Sequence, residues 1–209
     1  KPLKVRKAKK VKKVKALLKA MFPLKVKTKS KHMLVVGLGN PGSSYAGNRH
    51  NIGFMAVQAF LRRHLPSSPL ANRFKGKHTS GNVNGQKVHI LLPQTYMNLS
   101  GEAVQAAASY YKIPPEEVYV VHDELDLPVG EVRSKQGGGH AGHNGLKNII
   151  QHLGTREFYR IRCGIDHPGK KDLVSGYVLS DFRPEERDKA EEMCDKVCDE
   201  IEKFLSGNS

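Results

Sequence analysis

A histidine, an asparagine and an aspartate stand at two points where buried strands run out, and residues of these types can hold and move a proton. Leu34 to Phe54 reads LVVGLGNPGSSYAGNRHNIGF. Its opening run is short, apolar and rich in valine, and it stops at Gly39, Asn40, Pro41 and Gly42, as a buried parallel strand ends in a turn. Asn40 therefore falls at a strand exit. His50 falls early in the helix that follows, where Ile52, Met55, Ala56, Ala59 and Phe60 suit one packing face. A second apolar strand, Val118 to Val121, leads directly into His122, Asp123 and Glu124. Ligands of open α/β sheets bind outside the carboxyl ends of the strands, so both groups are delivered to the same rim. A neutral imidazole is a general base near pH 7, and a carboxylate on its far nitrogen fixes the tautomer.

Other chemistries fit less well. Gly37, Gly39 and Gly42 have the G-x-G-x-x-G spacing of a dinucleotide loop, which needs an acidic residue roughly 20 positions on. The first acid in the chain is Glu102, and Pro41 sits where backbone donors should face a pyrophosphate. No nicotinamide, flavin or other cofactor is expected. A serine nucleophile would bring a G-x-S-x-G elbow, and none occurs. Cys194 and Cys198 lie one helical turn apart without a matching ligand pair, which is not zinc spacing. Asp123 and its neighbours could take Mg²⁺ or orient a base; orientation is favoured and no metal is expected, because the body offers few further carboxylates.

The elements that must position these groups follow one another plainly. Two strand-like runs, Lys75 to Val83 and Lys87 to Leu92, flank Asn84-Gly85, a strong hairpin signal. Tyr96 and Asn98 precede a helix from about Ser100 to Lys112, with Ser100 as its N-cap. A strand from Glu131 to Gln136 leads into GGGHAGHNG, residues 137 to 145, whose glycines permit close approach of a bulky ligand while His140, His143 and Asn144 supply polar groups. A strand from Tyr159 to Ile165 and a helix from Pro184 to Phe204 complete the chain. With 209 residues and 38% hydrophobic content, this predicts one α/β domain, a mixed, mostly parallel twisted sheet flanked by helices in three layers.

The formal charge of +15 is concentrated at one end. Residues 1–32 carry 14 Lys or Arg and no acid, leaving 21 basic against 20 acidic residues in the rest. That leader is expected to lie outside the folded domain of residues 33–209, as a flexible tail, an import signal or an RNA-binding arm. No run reaches the ~18 apolar residues of a membrane span, and three cysteines, an odd number, favour a reducing compartment.

Taken in series, VVGLGNPGSSYAGNRHNIGF, TYMNLSGEAV, HDELDLPVG, GGGHAGHNGLK and RIRCGIDHPG make the sequence resemble the bacterial-type peptidyl-tRNA hydrolases, over roughly residues 33–205. The resemblance implies a metal-independent esterase that splits peptide from tRNA with a water activated by His50. Asp123 would orient His50, Asn40 would sense the acylated end of the substrate, and Asn98 or a loop amide would steady the oxyanion. Tyr45, Tyr96, Met97, Asn98, His143 and Asn144 would line the channel for the peptide and the 3′ nucleotides. Lys135 and Arg162 would clamp the tRNA 5′ phosphate. The competing reading is a catalytically silent tRNA- or RNA-binding protein on the same scaffold, a splicing or ribosome-associated factor. A monomer in the cytoplasm, or in a mitochondrion if the leader is an import signal, is the expected setting, with contact to the ribosome left open.

Overall fold

The apolar runs form strands β1 (His32–Gly37), β4 (Gln86–Pro93), β5 (Val118–Glu124) and β7 (Tyr159–Gly164), which lie side by side and mutually parallel. Strands β2 (Ala71–Arg73) and β3 (Gly76–Val83) extend one edge antiparallel, and β6 (Val132–Gln136) closes the other, giving the order β2-β3-β4-β1-β5-β7-β6. The computed structural model describes residues 32–207. The expectations for the basic leader therefore lie almost wholly outside the described residues.

The central strands are apolar without a break because both of their faces are covered. Met33, Val35, Tyr119, Val121, Ile161 and Cys163 face helices α1 (Ile52–His64) and α5 (Arg187–Ser206), packing on Val57, Phe60, Met193 and Val197. The alternate residues Leu34, Val36, Val118 and Val120 face α2 (Ser100–Tyr111) and α3 (Asn144–Leu153) through Ala103, Val104, Ala107, Leu146 and Ile149. A short helix, α4 (Val174–Val178), lies on the arm that leads to α5. The three-layer α/β sandwich is the expected one, and the Asn84-Gly85 hairpin has both residues at positive φ, 50° and 78°. Among the described residues no helix is long and apolar enough to cross a membrane. All three cysteines are free thiols.

Two local expectations are corrected. Ser100 does not cap α2: its Oγ donates to the Met97 carbonyl at 2.8 Å, and the N-cap position is Leu99, which has no side-chain cap. The 3-10 turn Met97–Leu99 runs directly into the helix, and the Gly101 N–H is satisfied by Asn148 Oδ1 on α3 at 2.7 Å instead. His50 is likewise not in the first turn of a regular helix. It sits in a separate 3-10 turn, Arg49–Asn51, ahead of α1.

Candidate active site

Gly37 and Gly53 explain how that turn comes so near the strand ends. A Cβ on Gly53 would lie 2.4 Å from the Val121 carbonyl oxygen and 2.5 Å from the Leu38 nitrogen, and one on Gly37 would lie 2.5 Å from the Gly53 carbonyl oxygen. A Cβ on Gly39 would press on the Phe54 ring at 2.7 Å. Two of the three glycines with dinucleotide-loop spacing thus serve helix-to-strand packing. Gly53→Ala is expected to push α1 off β5, lowering stability by ~1–3 kcal/mol and costing activity out of proportion to the loss of fold. Thermal unfolding and turnover of the same preparation check this, and unchanged turnover would detach the close approach from function.

The turn is also tied down from the far side. Arg49, fully buried, donates to Glu186 at 2.5 Å, to Ser180 Oγ at 2.8 Å and to the Asp181 carbonyl, with its guanidinium 4.4 Å from the Tyr177 ring centroid. Asn48 Nδ2 adds a bond to Asp181 Oδ1 at 2.7 Å. The arm before α5 and the turn bearing His50 are therefore tied together by side-chain bonds.

With the turn fixed, His50 Nδ1 lies 2.8 and 2.9 Å from the two carboxylate oxygens of Asp123, so it carries the proton of that bond and Nε2 is left as the lone-pair nitrogen. Asp123 is almost entirely buried, with 3% of its side chain exposed, against 12% for His50. Burial alone would raise the Asp123 pKa. The adjacent His50 and His143 rings more than reverse this and hold the carboxyl well below its ordinary range. For His50, burial disfavours the charged ring, but the Asp123 charge and hydrogen bond outweigh it and the pKa is raised above 6.5.

A second ring shares the carboxylate. His143 Nε2 reaches Asp123 Oδ1 at 2.9 Å, while its Nδ1 accepts from the N–H groups of Gly145 and Leu146 and so caps α3. The ligand atoms of His50, Asp123 and His143 lie within 4.8 Å of one another, near enough for a cation. Both rings already spend those nitrogens on the carboxylate, so a cation there would have to displace two hydrogen bonds.

Asn40 is aimed with equal care. Its Oδ1 accepts from the Met97 N–H at 2.8 Å, and its backbone is gripped by Asn51, which accepts from the Asn40 N–H at 3.0 Å and donates to the Asn40 carbonyl at 2.9 Å. The Asn40 Nδ2 is then the atom left to donate. Asn51 has no chemistry of its own here, and only the contact reveals its part.

These groups open on a cavity of about 810 Å³. All eleven residues singled out from the sequence line it: Asn40, Tyr45, His50, Tyr96, Met97, Asn98, Asp123, Lys135, His143, Asn144 and Arg162. Asn98 and Asn144 stand exposed on its wall, Tyr96 is 60% exposed, and Met97 is buried beneath them. At the other end Arg162 Nε donates to Glu124 at 2.8 Å, which together with the Asp126 N–H outweighs the effect of burial and lowers the Glu124 pKa. Lys135, on β6 opposite Arg160, has a lowered pKa because burial and then the charges of Arg162 and Arg160 disfavour its own. Lys135 thus shares one positive field with Arg160 and Arg162, although Arg162 is paired with Glu124 and Arg160 is buried.

Sequence reasoning did not assign Arg160 or the arm. Arg160 is 1% exposed and donates to the Gly138 and Gly139 carbonyls, fastening the glycine loop down. Val174, Ser175, Val178 and Leu179, on α4 and just past its end, also wall the cavity, a role their unremarkable sequence did not announce.

Residues 34–209 match the family model described as peptidyl-tRNA hydrolase. A peptidyl-tRNA hydrolase of Haemophilus influenzae is 52% identical over 170 residues, covering 81% of this chain and 88% of that protein. One from Rhizobium rhizogenes is 51% identical over 175 residues, covering 84% and 73%. The crystal structure of peptidyl-tRNA hydrolase from Acinetobacter baumannii superposes with a TM-score of 0.80 at 42% identity, covering 85% of this chain and 90% of that one. A buried histidine–carboxylate pair in a roomy cavity, on a fold and sequence shared this closely, means that the chain belongs to the peptidyl-tRNA hydrolase family.

Proposed function

We propose that the cavity hydrolyses the ester between the peptide and the tRNA 3′ end, with His50 as general base. The observation that carries this is the His50 Nδ1–Asp123 contact at 2.8 Å, which leaves the Nε2 lone pair as the ring's only site for taking a proton. His50 Nε2 takes a proton from water as the water oxygen bonds to the ester carbonyl carbon. The carbonyl oxygen becomes an oxyanion steadied by Asn98 or a loop amide. On collapse the carbon–oxygen bond to the ribose breaks, and His50 returns the proton to the leaving 3′ oxygen. The products are a peptide acid and a tRNA with its hydroxyl restored. No step calls for a metal or other cofactor. Asp123 stabilises the imidazolium between the two transfers.

Asn40 supplies the choice of substrate. A donor at Nδ2 suits the carbonyl of an acylated amino group and meets the α-ammonium of a free aminoacyl ester donor to donor. Buried polar groups left unpaired by the wrong substrate discriminate strongly. Turnover of N-acetylated aminoacyl-tRNA against free aminoacyl-tRNA tests this: the parent is expected to prefer the first, and Asn40→Asp to shrink the preference by ~10-fold or more. An unchanged ratio would take Asn40 out of selection.

The same reading gives Lys135 and Arg162 the tRNA 5′ phosphate and Tyr45, Tyr96 and Met97 the peptide and terminal nucleotides. It makes residues 1–32 a leader to a catalytic domain of residues 33–209. We read the enzyme as a monomer of the cytoplasm or, where the leader directs import, of a mitochondrion.

A further inference from the structure

His143 faces Asp123 with one ring nitrogen and the start of α3 with the other, so neither is offered to a ligand. We propose that His143 is a positioning residue: as second donor to Asp123 it holds the carboxylate in one rotamer and divides its charge between two rings, keeping His50 a usable base. The proposal rests on His50 and Asp123 acting as described above.

A lone donor to a buried carboxylate would take all of its charge, and an imidazolium held too firmly does not give up its proton near neutrality. His143 accepts from two backbone N–H groups at Nδ1, which places its proton on Nε2 and commits it to Asp123. The two rings meet at a 45° tilt with centroids 5.1 Å apart, and both reach Asp123 Oδ1. Other ionisable groups nearby do not bond to either side chain. Cys163, in register with Asp123 on β7, is buried and its thiol is raised well above the usual range. Burial, and then His143, keep His122 neutral down to about 3. Glu124 is neutralised by Arg162. His140, His167 and Lys171 reach the cavity wall but form no hydrogen bond with either partner.

Two substitutions separate the two jobs of the ring. His143→Asn keeps an acceptor near the Nδ1 position, and thus the cap on α3, but has no donor that reaches Asp123. His143→Gln keeps a donor near the Nε2 position and loses the cap. The readout is titration of the His50 ring by NMR in the substrate-free protein, which needs no turnover and so stands apart from any failure of the hydrolase reading. His143→Asn is expected to move the His50 midpoint up by roughly half a unit, a threefold drop in neutral ring on the acid side. His143→Gln is expected to leave the midpoint in place while lowering the unfolding temperature. An unmoved or lowered midpoint in His143→Asn would overturn the proposal. So would an equal rise in both variants, which would make the ring a packing element only.

Discussion

Asp123→Asn is expected to lower kcat/KM on N-acetylated aminoacyl-tRNA by ~10²–10⁴ with little change in KM. Asp123 accepts from two rings at once, His50 at 2.8 Å and His143 at 2.9 Å. His50 Nδ1 lies within 2.9 Å of both carboxylate oxygens and His143 reaches Oδ1 alone, so whichever way an amide turns, its NH₂ faces the His50 N–H. His143 cannot exchange tautomers without giving up the cap on α3, so His50 is the ring that flips. Its proton then sits on Nε2, where the lone pair is needed. The carboxylate's charge is lost as well, and with it the stabilisation of the imidazolium in the transition state. Because the side chain is the same size, the fold is expected to persist. A variant within fivefold of the parent would show that Asp123 holds the loop and not the base.

The second large effect is on pH. Only neutral His50 can accept a proton, and its pKa is raised above 6.5 because Asp123 outweighs burial. The sign follows directly. The neutral fraction grows as pH rises through a value above 6.5, so kcat/KM is expected to climb tenfold per unit on the acid side and level off beyond that midpoint. His122, held to about 3, stays neutral throughout and adds no second limb in this range. The rise is expected to vanish in His50→Ala along with at least ~10² of the rate. A midpoint below 6.5 in the parent would mean that the Asp123 charge does not reach the ring in solution.

Much of this was legible before the structure, for physical reasons that differ by residue. β1 and β5 declare themselves because strands covered on both faces are apolar throughout, and the polar residues that end them, Asn40 and Asp123, stand out against that background. The β3–β4 hairpin is announced by Asn84 and Gly85, which tolerate positive φ. The 3-10 turn carrying His50 has no such local signature: long-range bonds from Arg49 to Glu186 and Ser180 hold it, and pairings across more than 130 positions leave no spacing to read. β2 is three exposed residues with no apolar pattern. Ser100 carries a capping residue type, yet the turn before it takes the hydroxyl. His143 was expected only as a wall of the channel, because nothing in a glycine-rich loop shows where a ring will point once Arg160 fastens it.

The claim underneath all of this is that one neutral imidazole, aimed by Asp123, activates the water that cleaves the ester. The most direct measurement is the rate of N-acetylated amino acid release from tRNA by parent and His50→Ala, both in excess EDTA, under single-turnover conditions. The expected result is hydrolysis by the parent that EDTA does not slow, and a variant slower by at least ~10² that still binds tRNA. Undiminished hydrolysis by His50→Ala, or a parent that binds tRNA and releases nothing, would contradict it.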